Sequence, residues 1–152
     1  MEHDRKALIG HTFAPCRCVL DEENVRDFRG VVGEDHRAMA TAAGALLDGY
    51  ERRVIPPSYA PLIALSSLLR TIDWEKDFAL DYSTGTSMFG EQEMVYPRPL
   101  YVGETLSIVG TVLDVVEKRG KRPFDLVSIA VSATDEAGAV AFRGSMGFVL
   151  FK

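Results

Sequence analysis

Residues 56–69 read Pro-Pro-Ser-Tyr-Ala-Pro-Leu-Ile-Ala-Leu-Ser-Ser-Leu-Leu, and from Ser58 to Leu69 no side chain carries a charge. A helix that is apolar all round is buried all round, so the segment predicts a long central helix inside the core. Pro56-Pro57 holds the approach extended, Ser58 is a good N-cap residue, and Pro61 falls in the first turn, where its missing N–H costs little. Arg70 places a cation at the negative end of the helix dipole. Asp73 to Gly85 then reads as a polar excursion.

Beyond it the hydrophobic period changes from 3.6 to 2, starting with Met88 to Tyr96. Leu106, Ile108 and Val112 alternate with Thr105, Ser107 and Thr111; Val127, Ile129 and Val131 alternate with Ser128 and Ser132. These are half-buried antiparallel strands. Val140, Phe142, Met146, Phe148 and Leu150 share one face of a last strand, and Asp135-Glu136-Ala137-Gly138 makes the turn before it. A buried helix followed by such a meander requires the sheet to curl around the helix, because nothing else in 152 residues is available to cover it. The expected class is α+β.

Upstream, Ile9 to Val19 reads as extended. Asp21 caps a short acidic-start helix running to about Val32, with Val25, Phe28 and Val32 as its buried stripe and Gly33 as its end. A second, Ala-rich helix is expected from Ala38 to Leu47, closing near Gly49. No repeat, low-complexity tract or linker divides the chain, so residues 1–152 are read as one domain.

The 47% hydrophobic and 26% charged shares are those of a folded protein. With 17 Lys plus Arg against 22 Asp plus Glu, the net charge is −5, and no basic field favours nucleic acid. No apolar run approaches the ~20 residues of a membrane span, and the first residues lack the apolar centre of a signal peptide. The expected location is the cytoplasm. Cys16 and Cys18 read as two reduced strand cysteines, too few ligands for a zinc site.

The stretch Phe89-Gly90-Glu91-Gln92-Glu93-Met94-Val95-Tyr96-Pro97-Arg98-Pro99-Leu100-Tyr101-Val102-Gly103-Glu104 resembles a segment of the MaoC-like dehydratases, and more closely of their N-terminal, FAS1-like dehydratase domain. Val54-Ile55-Pro56-Pro57-Ser58-Tyr59 resembles that family's approach to its central helix, and Ile9-Gly10 and Val25-Arg26-Asp27-Phe28 extend the likeness over most of the chain. The resemblance implies the hot-dog fold, in which a curved antiparallel sheet wraps a long helix. It also implies addition or removal of water across the double bond of acyl-CoA or acyl-carrier thioesters, without metal or redox cofactor, by homodimers or by heterodimers with a catalytic MaoC-like subunit.

Catalytic members of that family carry an Asp and a His in a Gly-Asp-x-Asn-Pro-x-His segment. The matching stretch here is Gly33-Glu34-Asp35-His36-Arg37-Ala38-Met39, with Glu34 at the Asp position and Met39 at the His position. A thioether accepts no proton, so the dyad does not carry over. Either the chain works differently or it holds the acyl portion for a catalytic partner.

Glu34, Asp35 and His36 form the acid-plus-imidazole cluster that a general acid–base mechanism would use, although a loop past a helix end also reads as solvated surface. Pro57, Ser58 and Tyr59 begin the central helix, whose free N–H groups would suit a thioester carbonyl. Gly90, Glu91 and Arg98 are further substrate-binding candidates; an ion pair is the structural reading of Arg98. Glu91 and Glu93 project to one strand face and Gln92 to the other, so one set lines the tunnel while the other faces partner or solvent. His11 and His3 are weaker candidates. Lys118, Arg119, Lys121 and Arg122 form a basic hairpin that reads as a site for CoA phosphates or as a solvated tip. The competing functions are an acyl-CoA thioesterase and a non-catalytic acyl-binding subunit.

Overall fold

The computed structural model describes residues 4–81 and 87–152; His3 and residues 82–85 lie outside them, and the polar excursion expected from Asp73 begins instead with a short helix whose Trp74 and Phe78 are buried. A 3-10 turn (Arg5–Leu8) precedes β1 (Cys16–Val19), α1 (Glu22–Val32), α2 (Arg37–Ala40), α3 (Ala42–Leu47), α4 (Tyr59–Thr71) and α5 (Trp74–Phe78). Four longer strands follow: β2 (Ser87–Val95), β3 (Thr105–Lys118), β4 (Phe124–Thr134) and β5 (Val140–Phe151). The strands form one antiparallel sheet in the order β1-β3-β4-β5-β2. Helix α4 lies against β1 and β3 on the sheet's inner face.

The alternation read from the sequence places the core. Leu106, Ile108, Val112, Val127, Ile129 and Val131 are at most 2% exposed, and Phe142, Met146, Phe148 and Leu150 join them from β5. Val140, expected with them, is more than a third exposed. It opens β5 at a register shift opposite Thr134, where the pleat has not yet settled. Under α4, Gly110 lets the helix approach: a Cβ there would sit 2.5 Å from Leu68 Cδ2.

The caps of α1 form as expected. Asp21 accepts from the Asn24 backbone N–H at 2.9 Å, and Gly33 ends the helix at φ 75°. Its stripe is shorter than the spacing suggests, because Val25 is buried and Val32 is exposed. The single helix expected over Ala38–Leu47 is instead two. Thr41 (φ −139°) breaks it and caps α3 by accepting from the Gly44 N–H at 2.9 Å. Local side-chain capping has won over the helix propensity of the alanines.

Helix α4 begins where the sequence places it but is not buried all round. Tyr59, Ala60, Ile63, Ala64, Ser67 and Leu68 face the core, whereas Leu62 and Leu69, seven residues apart on one face, are 45% and 57% exposed. The sheet has too few strands to close over that side. Among the described residues no helix is long and apolar enough to cross a membrane.

Candidate thioester site

Two neighbouring connections meet at the start of α4. Ile55 donates to the Leu100 carbonyl at 2.8 Å, and Val54 bridges Tyr101, so the Pro56-Pro57 approach runs beside the 97–101 segment. Between them lies an open, mainly apolar cavity of about 360 Å³ lined by Met39, Tyr50, Val54, Ile55, Pro57 and Tyr96 to Leu100. Tyr96 closes one side by donating its hydroxyl to the Pro57 carbonyl at 2.7 Å. Burial pushes that phenol above its ordinary value, so it stays protonated as a donor.

Ser58 occupies the N-cap position without capping. Its backbone is already helical (φ −61°, ψ −15°), and its hydroxyl donates instead to Glu34 Oε1 at 3.0 Å. The half-buried Glu34 carboxylate is thereby held at the helix start, on the residue that follows the cavity-lining Pro57. The expected free N–H groups at that start are largely in use. Tyr59 N–H donates to the Pro56 carbonyl at 2.9 Å and Ala60 N–H to Pro57 at 3.2 Å, while Pro61 has none. The proline-rich approach that fixes the helix start also supplies the carbonyls that consume its donors.

The Glu34-Asp35-His36 trio separates. Asp35 points outward, 88% exposed at its side chain, and pairs with Arg29 at 2.9 Å. His36 caps α2 by accepting from the Ala38 N–H at its Nδ1, 3.3 Å away, which requires that nitrogen to be unprotonated. The same atom is 3.6 Å from Asp48 Oδ2, and Asp48 in turn pairs with Arg37. The Arg37 guanidinium holds the Asp48 carboxyl below its ordinary range. Of the three, Glu34 alone is brought to the helix start.

Arg98 lines the cavity, but its guanidinium is held elsewhere. It forks onto Glu104 at 2.8 and 3.1 Å, reaches Asp135 at 3.1 Å and donates to the Pro99 carbonyl at 2.8 Å. This ties the 97–104 loop to the β4–β5 turn, where Asp135 Oδ1 accepts from the Ala137 and Ala139 N–H groups. Gly90 sits at a bulge in β2, and Glu91 lies over Gly147 on the sheet's outer face, away from α4. Lys118, Arg119, Lys121 and Arg122 lie at the β3–β4 hairpin. That is the far end of a 14-residue strand from Glu104 and Tyr101, roughly 40 Å along it. There Arg122 stacks over Phe151 at 4.2 Å, and Arg119 lies 3.9 Å from Glu117.

Within one chain, therefore, Pro57 and Arg98 line one cavity and Ser58, next to Pro57 in the chain, holds Glu34, while Asp35, His36, Glu91 and the basic hairpin are not among the lining residues. Sequence reading missed Tyr50 and Tyr96 as cavity walls. The available signal for Tyr96 was an aromatic after Met94-Val95 at the end of a strand, directly before Pro-Arg-Pro. Among the described residues no three His, Cys, Asp or Glu side chains converge as a metal site would need.

A helix held in a five-stranded antiparallel sheet of order β1-β3-β4-β5-β2 defines a hot-dog protein. The chain belongs to the family described as FAS1-like, dehydratase domain region, whose model matches residues 7–143. It is 27% identical over 134 residues to the UPF0336 protein of Streptomyces griseus, covering 88% of this chain and 85% of that one. The fold matches the HadBC (3R-hydroxyacyl-ACP dehydratase) complex of Mycobacterium tuberculosis with a TM-score of 0.77 at 21% identity, covering 98% of this chain and 99% of that chain. It also matches the (R)-hydratase of A. caviae with a TM-score of 0.70 at 17% identity, over 93% and 96% of the two chains.

Proposed function

We propose that this chain is the acyl-thioester-holding half of a two-chain hydratase or dehydratase unit, joined to its partner along the open β2 edge. The supporting observation is the Glu34–Ser58 hydrogen bond beside an apolar cavity whose wall carries Met39. Hydration adds hydroxyl to C3 of an enoyl thioester and a proton to C2. A carboxylate such as Glu34 takes the proton from water, and a second group must deliver one to carbon and stabilise the enolate charge. Met39 supplies no proton, and Tyr59 and Ala60 have their N–H groups engaged, so the second half of the chemistry falls to the partner. No step calls for a metal or redox cofactor; the CoA or acyl-carrier thioester is substrate.

The reading is tested by titrating the purified chain with crotonyl-CoA and longer enoyl-CoA in a calorimeter while following enone absorbance. Binding without turnover, weakened by Ser58→Ala and Glu34→Ala, supports it. Hydration by the chain alone, lost in Glu34→Ala, makes it a self-sufficient hydratase, and release of free thiol makes it a thioesterase. Absence of binding refutes the reading.

A further inference from the structure

Strand β2, nine residues long, is the last in the sheet order, paired on one side to β5, and among the described residues no strand pairs with its other side. Met88, Phe89 and Val95 are 55%, 45% and 39% exposed on it. Long apolar edges are pairing sites, and natural edges carry charges that restrict which strand can add. Glu91 and Glu93 are opposite Gly147 and Ser145 of β5 and project from the outer face, whereas Gln92 is opposite the buried Met146 and faces inward. Neither glutamate side chain has an ion pair or hydrogen bond among the described residues. Arg143 lines the same shallow groove as Glu93, and no ion pair joins the two among the described residues. From Phe78 to Pro97 the sequence carries Asp81, Glu91 and Glu93 and no Lys, Arg or His.

A second copy pairing antiparallel at this edge meets itself. Centred on Gln92, the pairing sets Glu91 opposite the copy's Glu93 twice; centred on Glu91, the register that pairs all nine residues, or on Glu93, it sets that residue opposite its own copy; registers moved to Gly90 or to Met94 avoid this and pair only part of the strand. Like charges directly opposite across a strand pair are destabilising, and opposite charges stabilise. We propose that β2 selects by charge a different chain as its partner, one adding an antiparallel strand with Lys or Arg opposite Glu91 and Glu93. The inference rests on the edge-joined reading above and adds which partner the edge accepts.

A surrogate partner tests it without the natural one. Wild type, the Glu91→Lys/Glu93→Lys variant and their equimolar mixture are compared by sedimentation velocity at low and at high salt, without ligand. The mixture is expected to dimerise roughly tenfold or more tightly than either chain alone at low salt, with the gap shrinking at high salt as exposed charges are screened. Both glutamates are exposed, so the variant is expected to fold; if it does not, Glu91→Gln/Glu93→Gln is expected to strengthen self-association by itself. Wild type dimerising as tightly as the mixture, or Gln variants leaving self-association unchanged, overturns the charge selection. A Gln92→Pro chain that still associates shows that the edge is not the joint, which overturns the selection as well. Acyl-CoA titration, run separately, tells whether the thioester reading stands.

Discussion

Replacing Arg5 by Met should be the most damaging single change outside the apolar core. Arg5 is 8% exposed and holds three elements at once. Its guanidinium donates to Asp125 Oδ2 at 2.9 Å, to the Phe78 carbonyl at 2.7 Å and to the Leu150 carbonyl at 3.2 Å. Met keeps most of the stem volume and removes every donor. Among the described residues the Asp125 carboxylate, 8% exposed at its side chain, would then keep Lys152 Nζ, 3.6 Å from its other oxygen. Breaking a buried pair costs about 3–5 kcal/mol, and the remaining lysine argues for the lower end. For a domain of this size about 3 kcal/mol lowers the melting temperature by about 6–12 °C. Circular dichroism melts and urea titrations read both quantities. Arg5→Met/Asp125→Leu should recover most of the loss, because the uncompensated charge is gone. A loss below about 1 kcal/mol for Arg5→Met, or a double variant as unstable as the two single losses added, would refute the reasoning.

Three further outcomes follow from the same geometry. Gly144→Ala should destabilise more than Gly110→Ala, since its Cβ would lie 1.9 Å from the backbone oxygen of Glu93, whereas at Gly110 the obstacle is the movable end of Leu68; overpacking costs about 1–3 kcal/mol where neighbours can yield, and paired urea titrations rank the two. Arg98→Lys should cost about 1.5–3 kcal/mol, because an ammonium cannot fork onto Glu104 and reach Asp135 together, and thermal melts measure it. Stability should fall on acidification. Asp21, through the Asn24 N–H, Glu22, through Arg53, Asp48, through Arg37, and Asp135, through the Ala139 N–H, all sit below their ordinary values of 3.8 or 4.5. Such groups stabilise the fold above those ordinary values, and the contribution is lost as pH falls through the lowered ones, so urea midpoints should drop between about pH 5 and 2 and drop less steeply in Asp135→Asn.

What could be read in the sequence was whatever neighbours along the chain decide. The charge-free run after Pro56-Pro57 fixed the start of α4, the period-2 alternation fixed the inward faces of β3 and β4, and Asp21 and Gly33 fixed both ends of α1, because caps, periods and prolines act over a few residues. The same reading also recovered the fold class and, through the 89–104 and 54–59 segments, the family. The local reading failed where two local preferences competed, at Thr41, and where burial depended on layers it could not count, at Val32, Leu62, Leu69 and Val140.

The site was legible only in part, because its residues are brought together from distant segments. Glu34 and Ser58 are 24 positions apart, Pro57 and Tyr96 are 39, and Arg5 and Asp125 are 120. No period or cap predicts such contacts; they exist because the strand order β1-β3-β4-β5-β2 lays the helix start beside the 97–104 loop and leaves β2 at the rim. The sequence by itself thus determined the elements and their faces, and it places a methionine, which carries no proton, at position 39, where the family resemblance implies a histidine. Only the tertiary structure decided that one of the two carboxylates in the 34–36 trio turns to the helix start, that the helix donors are already engaged, and that two glutamates stand on an edge strand, since each depends on which distant backbone the chain folds against.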